Sequence, residues 1–273
     1  MISKQEIINN SINFNTNIDS ILRDNKTSIN VIWSGGCDST LILYDILTKL
    51  KSSCDDRVIN TWTFNHYQLN TNKMAWERQK RQRFIIWAED KGFKNKILNR
   101  EINLPNEEVS IGTGSCCQIA IWTSNIVPIL SDKSIVFAGY HKGDDFFTYN
   151  NFKNWMKLFK STTSLYGKDI KFFTPFACRS KYEIIKDIKN VDGLYDNTWW
   201  CEGVNNNGES CGYCLPCETH KSALLYYEYK NNHEKEKRIA LENVCKCSTS
   251  TNIDKYPAPA DSAIVVSNKV DSK

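Results

Sequence analysis

At 273 residues and 41% hydrophobic content, the chain is long enough to bury a full core, yet no apolar run approaches the ~20 residues needed to span a bilayer. A net charge of +4 is too small to imply a nucleic-acid partner, although it suits a phosphate-bearing ligand. Eleven cysteines, an odd number with no secretory signature ahead of them, argue for reduced thiols in a soluble, cytoplasmic protein rather than for disulfides.

Residues 1–28 read as a short amphipathic helix and a polar lead-in. From there strand and helix patterns alternate. Strands are expected at Asn30 to Trp33, Val58 to Phe64, Lys96 to Ile102, Ser134 to Gly139 and, more weakly, Ile170 to Thr174. Helices are expected at Thr40 to Lys51, Lys73 to Lys91 and Gln118 to Leu130. Such alternation predicts an α/β domain over residues 29–197, a doubly wound parallel five-stranded sheet with ligands at the carboxyl ends of its strands. Residues 198–245 form a cysteine-bearing segment passing into two helices, Glu218 to Tyr229 and Glu234 to Val244. The Ser-, Asn-, Pro- and Ala-rich tail, 246–273, has no period that could build a core and is expected to be disordered.

Ser34-Gly35-Gly36-Cys37-Asp38-Ser39-Thr40 lies between the first strand and the first helix of that domain. Two glycines after a buried strand permit a tight turn with bare N–H groups, and the next helix points its positive end into that turn. The loop therefore suits an anion, with Ser34, Ser39 and Thr40 adding hydroxyls. Asp38 would repel a bare phosphate and makes sense as a ligand to phosphate-bound magnesium. No Gly-Lys-Ser/Thr ending and no GxGxxG are present, which disfavours γ-phosphate transfer and dinucleotide binding. Near the other end, Cys201, Cys211, Cys214 and Cys217 have the spacing of a closed, structural zinc site, with an iron–sulfur cluster as the rival.

The Ser-Gly-Gly-x-Asp-Ser form resembles the PP-loop of the N-type ATP pyrophosphatases. Together with Cys-Gly-x-Cys-x-x-Cys near the end, it is similar to the 7-cyano-7-deazaguanine synthase family. Gly139-Tyr140-His141-Lys142-Gly143-Asp144 resembles the family's loop after the fourth strand, and Thr174-Pro175-Phe176 with Ser180-Lys181-Tyr182-Glu183-Ile184 resembles its Thr-Pro-Leu and Ser-Lys-x-Glu-Ile segment. The resemblance spans about residues 29–225. It implies ATP cleavage to AMP and pyrophosphate, adenylation of the carboxylate of 7-carboxy-7-deazaguanine, and attack by ammonia to give an amide and then a nitrile. Asp38, Ser39, Lys181 and Asp144 would be catalytic, and Ser34 to Thr40, Cys37 included, would hold pyrophosphate. His66, Gln68, Cys117, Gly139 and His141 would face the deazapurine. The implied cofactors are ATP, Mg2+ and Zn2+, and the partners are a small deazapurine and ammonia, with a homodimer left open.

Departures fall on the loops that would face the acceptor. Phe64-Asn65-His66-Tyr67-Gln68 replaces the family's Tyr-Gly-Gln-x-His, Gly114 to Gln118 replaces its Pro-x-Arg-Asn, and His141 replaces an Asn. Three alternatives stand beside the nitrile synthase: a PP-loop tRNA sulfur-transfer enzyme, an enzyme coupling a deazaguanine to a macromolecule, and a zinc-bearing binding protein without turnover. For Lys181 the bland reading is a solvated surface lysine, and for His66 and His141 a surface imidazole. Free cysteines such as Cys116, Cys117 and Cys178 are expected to be buried apolar residues, and Cys37 to be incidental.

Overall fold

The computed structural model describes residues 18–24, 26–66, 71–104, 115–144, 149–202 and 209–247. Two compact units divide the chain, Met1–Glu228 and Tyr229–Lys273. In the second, helix continues to Cys247, with side chains exposed over residues 231–237.

The first unit runs α1 (Ile18–Leu22), β1 (Ser28–Ile32), α2 (Cys37–Ser52), β2 (Ile59–His66), α3 (Thr71–Asp90), β3 (Ile97–Leu104), α4 (Ser115–Ile126), β4 (Ser134–Ala138), α5 (Tyr149–Leu165), β5 (Ile170–Phe173), α6 (Lys181–Lys189) and the start of α7 (Leu215–Cys247). All neighbouring strands are parallel, in the order β3-β2-β1-β4-β5. The strand order reverses at β1, which pairs with β2 on one side and β4 on the other. The crevice outside its carboxyl end is where a doubly wound sheet places ligands.

Pleating sends alternate residues of β1 to opposite faces. Ile29 and Val31 join Leu43, Ile46 and Leu47 of α2 and Phe84 and Ala88 of α3 in one core. Across the sheet, Val136, Ala138, Ile170 and Phe172 pack with Trp122 and Ile126 of α4 and Trp155 and Phe159 of α5 in a second. Asn30 faces that second side fully buried; its Nδ2 donates to the Ile135 carbonyl at 3.3 Å and its Oδ1 accepts from Trp62 Nε1 at 3.0 Å.

Several boundaries differ from the sequence pattern for identifiable reasons. Helix α2 begins three residues early, because Gly36 in extended conformation serves as N-cap and Thr40 N–H already bonds the Gly36 carbonyl. Helix α4 ends at Ile126 instead of Leu130, since Pro128 disfavours helical backbone at the residue before it. Helix α5 lies in a polar stretch not assigned to a helix, where Trp155, Phe159 and Thr163 recur every fourth residue as its buried stripe. The two C-terminal helices are one, α7. Among the described residues no helix is long and apolar enough to cross a membrane. The tail beyond Cys247 and residues 1–17 lie outside the described residues.

Candidate active site and metal centre

The anion loop is built on a turn that only glycine adopts easily. Gly35 has φ +89°, and a Cβ there would press on Arg81 Cγ at 3.2 Å and the Glu77 carbonyl at 3.3 Å. Trp33 N–H still pairs with the Trp62 carbonyl at 2.9 Å, so the loop leaves directly from the sheet. The first bond inside α2 is made by Thr40, which leaves the amides of Cys37, Asp38 and Ser39 ahead of the helical ladder, at its positive end. Ser34 Oγ accepts from Gly36 N–H at 3.2 Å and lies 3.4 Å from Ser39 Oγ. The end of β4 closes over this start: a Cβ on Gly139 would stand 2.7 Å from Ser39 N.

Lys181 arrives from the far half of the domain. Ser180 caps α6 and completes a capping box with Glu183, which puts Lys181 at the first helical position. Its Nζ donates to Asp38 Oδ2 at 2.5 Å, with the two side chains only 14% and 18% exposed. Burial presses the Lys181 ammonium toward neutrality, but Asp38 and Cys37 outweigh it and hold its pKa above the usual lysine value. Asp38 Oδ1 is buried with no protein partner. Lys181 is therefore no solvated surface lysine.

Asp144 stands beside this pair. Its Oδ2 accepts from the His141 backbone at 2.7 Å, and its Oδ1 is 3.4 Å from His141 Nε2. Burial raises the Asp144 carboxyl above its ordinary range, against the pull of His141. His141 is buried, and its Nδ1 accepts from Gly143 N–H at 3.2 Å; the ring organises its own loop and is not a surface imidazole.

Two expected loop residues turn inward. Thr40 is fully buried, its Oγ1 accepts from Trp33 Nε1 at 3.0 Å and its N–H is spent on Gly36, so its hydroxyl serves the core rather than the loop mouth. Cys37 is not incidental: its thiol is buried 3.3 Å from Thr198 Oγ1, so it offers the loop only its backbone. Cys178, expected to be buried, is exposed. Gln68 falls outside the described residues, as do the side chains of His66, Cys116 and Cys117.

Beneath the loop lies a charged layer that the motif does not announce. Arg81, 1% exposed, donates from Nη1 to the Ser34 carbonyl at 3.1 Å and from Nη2 to Glu101 Oε1 at 3.1 Å. Glu101 also accepts from Arg78 at 2.6 Å and Asn65 at 2.9 Å. Hydrogen bonds from Arg78, then Asn65 and Arg81, overcome burial and hold Glu101 down at about 2. A cavity of about 630 Å3 opens against the sheet face carrying Asn30, Asn60, Trp62 and Arg100, with Glu101 in its lining.

The four cysteines converge. Their sulfurs all lie within 4.8 Å of one another, with Cys201 and Cys214 at 3.9 Å and Cys211 and Cys217 at 4.0 Å. Against burial, backbone N–H groups of Tyr213 and Cys214 bring the Cys211 thiol down to about 6, while burial pushes Cys217 up. Four sulfurs this close cannot all ionise without a cation, so the set suits one metal ion. The segment leading into it touches the anion loop, since Trp199 N–H donates to the Gly35 carbonyl at 2.9 Å.

Residues 130–228 match the family described as queuosine biosynthesis protein QueC. Over these residues the chain resembles QueC. The matched residues carry Gly139, Asp144, Lys181 and all four cysteines, while the anion loop stands upstream of them and meets them through the Lys181–Asp38 pair. Loop, sheet and match are together what a PP-loop ATP pyrophosphatase would present. No curated protein matches the chain. Among solved structures, the U34-tRNA thiolase NcsA from Methanococcus maripaludis with its 4Fe-4S cluster is similar over 86% of this chain and 76% of its own, at 11% identity and a TM-score of 0.43.

Proposed function

We propose that the QueC-like chain is an ATP-dependent carbon–nitrogen ligase that activates the carboxylate of 7-carboxy-7-deazaguanine and uses ammonia to form the amide and then the nitrile. The observation that carries this reading is the contact of Lys181 with Asp38 across 143 residues of sequence. It joins a lysine of the QueC-matched stretch, residues 130–228, to the loop expected to hold pyrophosphate.

In this reading the substrate carboxylate attacks the α-phosphorus of ATP, the α–β bridging bond breaks, and an acyl adenylate and pyrophosphate result. The amides of Cys37, Asp38 and Ser39 take the charge growing on pyrophosphate, aided by Lys181. The free Oδ1 of Asp38 suits a magnesium ligand, and magnesium when bound would neutralise phosphate charge. Asp144, held by the His141 loop, orients the acceptor or a nucleotide hydroxyl. Ammonia then displaces AMP, and a second ATP activates the amide for elimination to the nitrile.

Zinc is the proposed occupant of the cysteine site. Tetrahedral bonds of ~2.3 Å put sulfurs about 3.8 Å apart, close to the 3.9 and 4.0 Å of two pairs here, in a set that lies within 4.8 Å. A 4Fe-4S cube spreads its thiolates over separate irons and needs a wider set. A closed four-thiolate shell leaves no position for substrate, so zinc would serve the fold.

Incubation with ATP, ammonium and 7-carboxy-7-deazaguanine, with products read by mass spectrometry, tests the reading: AMP, pyrophosphate and a nitrile or amide are expected. A second reading, sulfur transfer to tRNA, gains from the exposed Cys178 thiol on the turn leading to Lys181. Sulfur in a tRNA product, with the deazapurine left unchanged, would replace the first reading by the second.

A further inference from the structure

We infer that Thr198 and Trp199 are positioning residues that couple the cysteine metal centre to the anion loop, so that metal and nucleotide each tighten the other's binding. The inference rests on the zinc and ATP readings above.

Residues Thr198 to Cys201 form a short strap, and Thr198, Trp199 and Cys201 are all buried. At its start, the Thr198 hydroxyl spends its single proton on the Tyr195 carbonyl at 2.8 Å. The contact with Cys37 must therefore be donated by the thiol, which burial keeps protonated. One residue later the Trp199 N–H holds the Gly35 carbonyl, and a Cβ on Gly36 would lie 3.4 Å from the Trp199 carbonyl oxygen. Three consecutive loop residues thus rest on two strap residues.

The other end of the strap belongs to the metal centre. Trp199 Nε1 donates to the Cys201 carbonyl at 2.9 Å, and Cys201 Sγ accepts from Cys211 N–H at 3.1 Å. Trp200 stacks on His220 with centroids 3.8 Å apart and planes within 3°. His220 stands one helical turn beyond Cys217 on α7, and its Nε2 is 2.7 Å from Tyr195 Oη. Both ligand-bearing segments therefore grip the strap.

The lever is short. One residue, Trp200, separates the Gly35 contact from a metal ligand, a reach of at most roughly 7 Å even when fully extended. An ion that fixes Cys201 fixes the residue that braces Gly35, and the loop's amides keep the arrangement an anion needs. By linkage, an anion that fixes the loop must stabilise the thiolate set by the same factor.

The test uses the full chain, zinc and α,β-methylene ATP, which cannot be split between its α and β phosphates. Zinc affinity is measured by competition with a chromogenic chelator, with and without saturating magnesium nucleotide. Nucleotide affinity is measured by calorimetry on zinc-loaded and zinc-free protein. We expect both affinities to rise by the same factor, fivefold or more, when the other ligand is present. Thr198→Val removes the contact to the Cys37 thiol and Trp199→Phe removes the indole bond to the Cys201 carbonyl, while the backbone bond from Trp199 to Gly35 stays; each should still bind both ligands, with the factor reduced at least twofold. Wild-type protein that binds zinc and nucleotide independently overturns the inference and leaves the function standing. Coupling at the wild-type factor in both variants removes the Thr198 hydroxyl and the Trp199 indole from the role and overturns their assignment as positioning residues. Failure to bind zinc, or nucleotide, refutes the corresponding reading above and the inference with it.

Discussion

The two sides of the anion loop are made in different ways. Its mouth is contiguous sequence, Ser34 to Ser39, joined by one distant residue, Lys181. Its underside is assembled from three elements, Asn65 at the end of β2, Arg78 and Arg81 on α3, and Glu101 on β3. Chemistry that needs a fixed backbone shape is written into neighbouring residues. Support that needs only charge and hydrogen bonds can come from anywhere the fold brings close.

Variants should separate the two. The largest effect is expected at the mouth. Asp38→Asn keeps the side-chain shape beside Lys181 while removing the negative charge proposed to hold magnesium, and ATP-to-AMP conversion should fall on the order of 10²- to 10³-fold. Circular dichroism should show unchanged secondary structure. Conversion at near wild-type rate would remove Asp38 from the reaction.

Arg81→Met strikes the underside. It leaves the Ser34 carbonyl without its donor and takes one of three hydrogen-bonding partners from Glu101, so stability should drop by about 3 kcal/mol in urea unfolding. ATP affinity should weaken with it, because the Ser34 carbonyl at the start of the turn loses the guanidinium that holds it. A stable Arg81→Met protein would mean that the buried guanidinium is not what holds the loop up.

Gly139→Ala tests the seam between the sheet and the loop. Backbone sits 2.7 Å from the added methyl, so either β4 or the start of α2 must shift, at a cost of about 1 to 3 kcal/mol. ATP cleavage should fall further than the thermal midpoint suggests, since the atom displaced is the Ser39 amide. Thermal unfolding and AMP release, measured together, decide this.

Glu101 gives the underside a pH signature. Its folded pKa of about 2 lies below the ordinary value of 4.5, so it favours the folded state above the ordinary value, and that contribution is lost as pH falls from about 4.5 toward 2. Glu101→Gln should therefore be less stable than wild type at pH 7 and lose less stability between pH 5 and 2. Parallel acid-unfolding curves for the two proteins would show that Glu101 carries no such linkage.

What could be read from the sequence follows the same division. The parallel strands were legible because short, largely apolar runs such as Ile29 to Trp33 and Ile135 to Ala138, buried on both faces, alternate with helical runs. The Asp38–Lys181 meeting was legible only through resemblance, since nothing local in Lys181-Tyr182-Glu183 distinguishes a buried lysine from a solvated one. Arg81 and Glu101 belong to no motif: one lies among the cationic residues of α3, the other in a strand of mixed polarity, and only the packing of α3 on the sheet brings them together. For Arg81 the clue would have been Phe84 and Ala88, which place it on the buried face of α3. Thr198 and Trp199 were hidden for a related reason, because their partners in the loop lie about 160 residues upstream.

The smallest expected effect is the sharpest check on where the mouth ends. Thr40 is contiguous with the loop motif and is a hydroxyl residue, so sequence order alone would make it a phosphate donor. Its side chain instead accepts from Trp33 Nε1 in the core, and its amide closes the first turn of α2. Thr40→Val preserves shape and deletes that acceptor, leaving a buried indole N–H unpaired at a cost of about 1 to 2 kcal/mol. ATP KM should stay within about twofold, because no group facing the loop mouth has been removed. Steady-state kinetics beside urea unfolding measure both quantities on one preparation. A tenfold rise in KM with stability unchanged would mean that Thr40 turns outward when nucleotide binds, and the boundary between mouth and core would have to move by one residue.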